Sequence, residues 1–425
     1  MSHPLHHLRS SRVSDRPIGI YSVCSANPIV LEAAVRQAVE DGTVLLVEAT
    51  SNQVNQFGGY TAMRPADFRE FVLQIAARHG LAPEDLILGG DHLGPNPWQH
   101  LPAEEAMQHA EHLVAEYSRA GFVKIHLDTS MACSGECAPL PDHVVADRAA
   151  RLCQVAERSS NGEPRFYVIG TEVPIPGGAT ESLEELAVTS YGDAARTLEI
   201  HRTVFANAGL RDAWSRVIAL VVQPGVEFNH DSVVDYASEK TESLRQLLIE
   251  SEQLVFEAHS TDYQTPEAYK ALVTDGFAIL KVGPALTFAM REALFSLARV
   301  EEEIVSAEKR SRLPQIVEQV MLSHPEHWQK HYHGDAEEQR RLRRFSYSDR
   351  VRYYWPEPEI QSAVDKLLQN LAEAVIPESL LSSFLPQQYR SVRTGQLQSS
   401  PRELIVDQIR ETLRPYAAAC YGFAS

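Results

Sequence analysis

Short apolar runs recur along the first three quarters of the chain, and each one ends in polar residues. The clearest run covers 86–90 and leads directly into Asp91, His92 and the glycine- and proline-rich residues 93–96. A run of this length predicts one buried strand, and the residues after it predict a turn. The pattern therefore places an acid and an imidazole side by side at the carboxyl end of a strand.

Seven further runs repeat this arrangement and alternate with amphipathic stretches of helical length. The other predicted strands are 19–24, 44–49, 122–127, 166–172, 217–222, 254–258 and 277–282. The predicted helices between and after them are 28–39, 67–79, 103–119, 142–157, 193–207, 241–249, one that begins at 266 after the N-cap Thr265, and 287–305. Eight alternations within about 290 residues match an α/β fold of the (β/α)8 TIM-barrel type. A doubly wound nucleotide-binding sheet would need a glycine-rich turn after its first strand, and residues 22–25 are not one.

The alternation divides the chain into three predicted parts. Residues 1–15 have no periodic pattern and predict a mobile N-terminal segment, whereas 16–308 form the barrel domain. Residues 309–425 predict a helical C-terminal extension that ends in an amphipathic helix over 402–416. Within the extension, arginines at 340–344 precede an arginine- and tyrosine-rich stretch at 349–356. Such a stretch forms either a solvated face or a cover over the barrel mouth that meets a phosphate.

Composition narrows the classes of partner. The 425 residues carry a net charge of -18, which disfavours nucleic acids and anionic membranes because these polyanions would be repelled. No apolar run reaches the roughly 18 residues that cross a bilayer, and no signal-peptide pattern opens the chain. The five cysteines are scattered, as expected in a reducing compartment. We expect a cytoplasmic homo-oligomer whose anionic ligands, if any, meet local basic groups.

The strand ends of a barrel share one mouth, so polar residues that are remote in sequence converge there. Asp91 is the candidate for moving a proton, and His92 is a candidate metal ligand. His259 after the seventh strand and Glu172 after the fifth complete an N/O ligand set suited to zinc, manganese or a similar divalent ion.

Three further residues lie in the predicted strands or directly after them, and two of these, Asp128 and Lys281, allow more than one interpretation. Asp128 is either a second catalytic acid or base, or a residue that orients a metal ligand. His126 lies deeper on the same strand and is interpreted as a packed core histidine. Lys281 forms a Schiff base, binds an anion, extends from the strand to solvent, or pairs with a carboxylate, and the nearby Gly283 favours the anion among the functional roles. No phosphate-binding loop of P-loop enzymes, kinase glycine-rich set or serine-hydrolase elbow is present.

Long strings of this sequence closely resemble the GatZ/KbaZ family of tagatose metabolism. These strings are 48–60, 89–96, 124–128, 170–174, 257–265, 281–285 and 349–356. The resemblance spans nearly the whole chain. Members of that family are described as tagatose-6-phosphate kinases, as non-catalytic subunits of a class II tagatose-1,6-bisphosphate aldolase, and as ketose-phosphate 4-epimerases. The kinase description fits this sequence worst, because no kinase motif is present.

More distantly, the chain is similar to class II fructose-bisphosphate aldolases. That resemblance implies that Asp91 handles protons and that His92 and His259 bind a metal. The aldolases place a further metal histidine after the sixth strand, where this chain has Gln223, so Glu172 or Gln223 must fill the gap.

The chemistry of the substrate separates the activities that remain. The C4 hydrogen of a 2-ketose is not acidic, because C4 is not adjacent to the C2 carbonyl. The configuration at C4 therefore changes either by transient oxidation or by breaking and remaking the C3–C4 bond. The first route needs a nicotinamide site that the sequence lacks. We therefore expect a metal-dependent D-tagatose 6-phosphate 4-epimerase, with Ser260, Thr261, Lys281 and Gly283 as candidate phosphate-binding residues. The alternative is a stabilising subunit whose partner is a separate aldolase chain.

Overall fold

The computed structural model describes residues 3–12, 16–171, 186–251 and 253–422. Eight parallel strands close into a barrel in the order β1-β2-β3-β4-β5-β6-β9-β10, and β10 pairs with β1. The barrel strands are β1 (Ile20–Val23), β2 (Leu45–Thr50), β3 (Leu86–Leu93), β4 (Lys124–Leu127), β5 (Phe166–Ile169), β6 (Val217–Val221), β9 (Val255–Ala258) and β10 (Phe277–Val282). The short strands β7 (Glu227–Phe228) and β8 (Val233–Val234) form an antiparallel pair beside the mouth. The predicted (β/α)8 barrel is confirmed.

Helices surround the barrel and continue into the C-terminal part of the chain. Those up to the last barrel strand and its crossover are α1 (Pro4–Ser11), α2 (Pro28–Asp41), α3 (Pro65–His79), α4 (Ala103–Arg119), α5 (Asp142–Ser159), α6 (Tyr191–Asn207), α7 (Arg211–Trp214), α8 (Glu242–Glu250), α9 (Pro266–Thr274) and α10 (Pro284–Ile304). Those that follow are α11 (Leu313–Ser323), α12 (Ala336–Phe345), α13 (Pro358–Ala372), α14 (Glu378–Phe384), α15 (Pro386–Arg393) and α16 (Pro401–Tyr421). None of the helices in the described ranges is long and apolar enough to span a bilayer.

The N-terminal segment differs from its prediction as a mobile lead-in. Residues 4–11 form α1, and the side chains of Leu5 and Leu8 are buried in an apolar cluster with Ile20, Ile87 and Phe166. Two leucines three positions apart lie on one face of a helix, and a one-turn repeat is too short to stand out in the sequence. The helix packs against the apolar layer of residues from the barrel strands.

An irregularity at the end of β3 turns two adjacent side chains toward the mouth. Successive residues of a regular strand face opposite sides of the sheet. The pairing of β3 with β4 shifts register between Gly90 and Leu93, and His92 has a left-handed backbone with a φ of 48°. A bulge of this kind re-aims side chains, so Asp91 and His92 both reach the pocket.

Two glycines of this stretch are required by close approach. A Cβ on Gly94 would lie 1.6 Å from the carbonyl oxygen of Asp128, so no other residue fits there without moving the backbone. A Cβ on Gly89 would lie 2.8 Å from the Cγ of Glu48, so this glycine leaves room for a side chain inside the barrel.

The C-terminal part packs directly on the barrel. Helix α16 contacts β1, α2, α9 and α10, and the Tyr416 hydroxyl donates to the carbonyl of Thr261 at 2.8 Å. The turn Arg350–Tyr353 follows Asp349, whose buried carboxylate accepts from Arg291 at 3.1 Å and from Thr287 at 2.7 Å on α10. The extension is thereby held against the helix that follows the last barrel strand.

We predict that Leu5→Ala lowers the free energy of unfolding by about 2 to 4 kcal/mol, because it empties a fully buried position. Urea denaturation followed by circular dichroism measures the change. The control is Val375→Ala, since Val375 is 92% exposed and should leave the value unaffected. Equal values for the two variants would mean that α1 does not pack as described.

Candidate functional site

An open pocket lies at the carboxyl end of the barrel, where the sequence predicted a site. It encloses about 680 Å³, including solvent at its mouth, which is within the usual range for a small-molecule site. The barrel contributes both residues of the β3 bulge and residues that follow β1, β2, β9 and β10, and the C-terminal extension contributes Arg352 and Tyr353. The polar residues that line it are Thr50, Asn52, Gln53, Tyr60, Asp91, His92, His259, Ser260, Asp262, Lys281, Arg352 and Tyr353.

Three imidazoles and one carboxylate from three strands meet at the base of this pocket. Asp91, His92, His126 and His259 each offer one ligand atom, and these atoms lie within 4.8 Å of one another. The ring centroids of His92 and His259 are 4.9 Å apart, and that of His126 lies 5.1 and 5.2 Å from them. This buried cluster could hold a metal ion.

His92 is held in a defined orientation by Asp128. Hydrogen bonds from His92 and Ser130 lower the pKa of the Asp128 carboxyl to about 2 although burial alone would raise it, so the group is an acceptor. The Nδ1–H of His92 therefore donates to Asp128 at 2.7 Å, which leaves Nε2 free to bind a metal. This is the usual arrangement of a carboxylate that supports a metal-binding histidine. Of the two roles predicted for Asp128, the geometry favours that of a residue that orients the metal-binding histidine.

His126 was interpreted from the sequence as a packed core histidine, but in the structure it belongs to the polar cluster. Its Nδ1 lies 3.2 Å from Asp91 Oδ1 and 3.2 Å from the backbone nitrogen of His92. Its Nε2 is buried and has no hydrogen-bond partner within the described residues. A buried polar atom without a partner is costly in a folded protein unless something else satisfies it. A metal ion at the cluster would do so when the His126 proton lies on Nδ1 and is donated to Asp91.

His259 is neutral and tethered. Burial lowers its pKa to about 3 despite its contact with Glu257. Its Nε2–H donates to Glu257 Oε1 at 3.0 Å, which leaves Nδ1 as the free nitrogen. His259 and His92 thus converge as the sequence predicted.

Beneath the imidazoles lies a layer of four buried charges that the sequence analysis missed in part. Lys124 contacts Glu48 at 2.7 Å and Glu257 at 2.8 Å. Lys281 contacts Glu48 and Asp91 at 2.7 Å each, and Glu257 at 3.4 Å. Burial alone would lower the pKa of Lys281, but the three carboxylates raise it well above its usual value. This favours the carboxylate-paired role for Lys281 over an uncharged amine that forms a Schiff base.

The cluster and the charged layer together carry an excess of negative charge. Four buried carboxylates, those of Glu48, Asp91, Asp128 and Glu257, face two ammonium groups, so two negative charges are in excess when the imidazoles are neutral. Buried charge without compensation is strongly unfavourable. A divalent cation would neutralise the excess, and the N/O donor set suits zinc or manganese.

Asp91 lines the open pocket beside the imidazoles. Burial alone would raise its pKa, but His92, Lys281 and the hydrogen bond with His126 hold it well below its usual range. The group is therefore a carboxylate, close enough to the imidazoles to act on anything bound beside them.

Most of the predicted phosphate-binding residues are already engaged. The Thr261 hydroxyl donates to the carbonyl of Lys281 at 2.6 Å, and the Gly283 N–H donates to Asp262 at 3.0 Å. Both lie where predicted, at the carboxyl ends of the seventh and eighth barrel strands, but their polar groups hold loops together. Ser260 lines the pocket, with a left-handed backbone at a φ of 52°.

Gln223 and Glu172 were the two sequence-based candidates for the remaining metal ligand, and the structure describes only Gln223. The side-chain oxygen of Gln223 accepts from the N–H groups of Gly225 and Val226 at 2.8 and 3.1 Å, so it stabilises a turn. It does not line the pocket. Glu172 lies outside the described residues.

A signal for the missed charges was present in the sequence. Glu48, Lys124 and Glu257 each stand inside an apolar strand, where a charge must be paired to be buried. Ion pairs between Lys124 and the two glutamates inside the barrel could therefore have been predicted. Lys124 and Glu257 also stand two positions before His126 and His259, on the same face of their strands.

Comparison with known proteins agrees with the resemblance described above. The model of the family described as D-tagatose-1,6-bisphosphate aldolase subunit GatZ/KbaZ-like matches residues 5–421. The crystal structure of a probable tagatose 6 phosphate kinase from Sinorhizobium meliloti 1021 is 50% identical, with a TM-score of 0.89. The match covers 95% of this chain and 100% of that one.

Two other solved structures are much less similar. Fructose-bisphosphate aldolase from Campylobacter jejuni is 12% identical with a TM-score of 0.45, covering 86% of this chain and 90% of that one. Fructuronate-tagaturonate epimerase UxaE from Cohnella laeviribosi is 12% identical with a TM-score of 0.49, covering 98% and 84%. Neither likeness bears on activity. Because the family model spans nearly the whole sequence, the chain belongs to the GatZ/KbaZ-like family.

Proposed function

We propose that this protein is a D-tagatose 6-phosphate 4-epimerase that depends on a divalent metal and interconverts tagatose 6-phosphate and fructose 6-phosphate. The observation that carries the proposal is the convergence of three imidazoles and Asp91 at the base of an open pocket. Family membership supports a function in tagatose metabolism. A purely structural subunit would have little physical reason to keep an uncompensated polar cluster there.

We assign the metal ligands to His92, His126 and His259, with Glu172 as the further candidate from sequence. The free Nε2 of His92 and the free Nδ1 of His259 support this assignment, as does the Nε2 of His126 when its Nδ1–H donates to Asp91. A divalent ion held by these residues would polarise the ketose oxygen and stabilise negative charge on the substrate.

Asp91 is assigned as the acid and base. When the C3–C4 bond breaks, its electron pair passes to C3, which shares the charge with the C2 carbonyl as an enediolate. The proton of the C4 hydroxyl moves to the Asp91 carboxylate, and C4 becomes an aldehyde that keeps its own hydrogen. Rotation of the aldehyde and re-formation of the bond on its other face invert C4, and Asp91 returns the proton.

Lys281 and Asp128 support these groups in the proposal. Lys281 places its ammonium 2.7 Å from Asp91, which fixes the carboxylate and favours its charged form before the proton arrives. Asp128 keeps the His92 ring turned so that Nε2 faces the cluster.

The second candidate is a non-catalytic, stabilising subunit of a class II tagatose-bisphosphate aldolase. It is favoured by the description of the family, which names an aldolase subunit. In that case the cluster would contribute to the fold or to the complex, and a separate aldolase chain would be the partner.

We expect the purified protein, loaded with zinc or manganese, to convert tagatose 6-phosphate into fructose 6-phosphate. Asp91→Asn should lower kcat by about a hundredfold to ten-thousandfold, because an amide cannot accept the C4 hydroxyl proton. Product formation is followed enzymatically with glucose-6-phosphate isomerase and dehydrogenase. Asp365→Asn, an exposed change on α13, is the control.

Absence of fructose 6-phosphate from the metal-loaded protein would contradict the epimerase. If the protein instead raises the activity of a co-purified aldolase, and Asp91→Asn does so equally well, the subunit function is correct.

We also predict that the protein binds about one divalent ion per chain and that His126→Ala weakens this binding at least about tenfold, because it removes one nitrogen ligand. Metal content after dialysis against a graded zinc buffer measures the affinity. His201→Ala is the matched control, since His201 is equally buried but lies on α6 with its Nδ1 on the Thr197 carbonyl. Equal metal affinity of the two variants would mean that His126 is a core residue and not a metal ligand.

A further inference from the structure

The phosphate of the proposed substrate needs a cation, and Lys281 does not supply it. Its ammonium already contacts three carboxylates within 3.4 Å. The N-terminus of α10 is also occupied, because Asp262 Oδ1 accepts from the N–H groups of Gly283 and Ala285 at 3.0 and 2.8 Å. A positive group must come from another part of the pocket wall.

Arg352 is that group. It stands in the turn Arg350–Tyr353 of the extension, and its guanidinium donates to Tyr353 Oη at 2.9 Å and to the carbonyls of Ser348 and Asp349. Within the described parts of the chain, no carboxylate lies within 4 Å of it. Its charge is thus fixed in place by neutral acceptors and has no direct counter-ion.

A second cation reinforces the positive charge of this turn. Arg350 is buried, donates to the carbonyl of His327 at 2.9 Å, and likewise has no carboxylate within 4 Å in the described ranges. Arg352 and Arg350 together hold the pKa of Tyr353 below its usual value, although burial alone would raise it. A site that favours negative charge on a phenol also favours an oxyanion. Asp262 lines the same pocket, with one oxygen bound by two N–H groups.

The position of Arg352 links two cavities. One is the pocket that contains Asp91, His92 and His259. The other encloses about 870 Å³, including open solvent, between the N-terminus of α2 and the extension, with Asn27, Met63, Phe71 and Trp355 in its wall. Arg352, Tyr60 and Gln53 line both. A molecule with its reacting carbons at the imidazoles can therefore extend an anionic end to Arg352, and free space continues beyond.

We propose that Arg352 binds the phosphate of the ketose and retains the phosphorylated fragment while the C3–C4 bond is open. This inference rests on the proposed function. Cleavage of a 2-ketose 6-phosphate between C3 and C4 leaves dihydroxyacetone, as its enediolate, and glyceraldehyde 3-phosphate. The phosphate is on the fragment that must rotate. Arg352 holds its phosphate end while the aldehyde end turns, so that the bond closes again before the fragment escapes.

The test compares Arg352→Gln, Arg352→Lys and the control Arg340→Gln. Glutamine keeps a hydrogen-bond donor toward the carbonyl of Ser348 but removes the charge, lysine restores the charge without the planar fork, and Arg340 is exposed on α12. Metal content and circular dichroism establish that each variant is folded and loaded. Glyceraldehyde 3-phosphate released during turnover is measured with its dehydrogenase, alongside fructose 6-phosphate.

We expect Arg352→Gln to raise KM for tagatose 6-phosphate about tenfold or more and to raise the ratio of released triose phosphate to fructose 6-phosphate by a similar factor. The preference for tagatose 6-phosphate over tagatose, measured as the ratio of kcat/KM values, should fall in parallel. Arg352→Lys should recover part of each change, and Arg340→Gln should match the unmodified protein. An unchanged KM and an unchanged product ratio in Arg352→Gln would overturn the proposal.

A binding measurement separates this inference from the proposed function. Calorimetry on the metal-loaded protein compares fructose 6-phosphate with fructose, and we expect the phosphate to tighten binding at least about tenfold in the unmodified protein but not in Arg352→Gln. If the protein does not turn over ketose phosphates yet shows this difference, the epimerase proposal fails and the phosphate site stands. If the two sugars bind equally to the unmodified protein, the phosphate site is wrong whatever the activity.

Discussion

The buried ion pairs inside the barrel are the interaction on which the rest of this structure depends. Lys124 on β4 contacts Glu48 on β2 and Glu257 on β9, and Lys281 on β10 contacts the same two glutamates. Such a network is costly to desolvate and is held together only when each charge keeps its partners. It ties four strands of the barrel across its centre. It also engages Lys281 with carboxylates, so that this lysine is not available to bind a ligand.

The network sets the chemistry of the pocket above it. When the imidazoles are neutral, the two lysines do not balance the four carboxylates, so the base of the pocket favours a further positive charge. The free nitrogens of His92 and His259 stand beside that surplus, and Asp91 connects the two layers through Lys281. The proposed metal, the proposed proton transfer at Asp91 and the proposed phosphate contact at Arg352 therefore depend on one distribution of charge. The metal would bind where negative charge is in excess, and the phosphate would bind where positive charge has no direct counter-ion.

Much of this arrangement could be predicted from the sequence. Apolar runs that end in polar residues predicted the eight barrel strands, because a buried parallel strand is a continuous apolar run that is visible within one segment. The convergence of His92 and His259 followed from the fold alone, since strand ends of a barrel share one mouth. The resemblance to the GatZ/KbaZ family agreed with the family model over 5–421.

What the sequence did not give depends on contacts between distant segments. His126 looked like a core residue because its depth on β4 is visible in the pattern, whereas its nearness to Asp91 and His92 depends on the bulge at the end of β3. Thr261 and Gly283 have suitable groups for a phosphate, but their partners, the Lys281 carbonyl and Asp262, are set by loop geometry. The helix at 4–11 was missed because its two buried leucines span a single turn.

An anomalous difference map, from crystals of this protein grown with zinc and measured above the zinc absorption edge, tests whether the three imidazoles bind one metal ion. We predict one strong peak at the base of the pocket, about 2.0 to 2.1 Å from nitrogens of His92, His126 and His259. A map without a peak there, or with zinc bound only elsewhere, would contradict the central claim that these three imidazoles hold one cation.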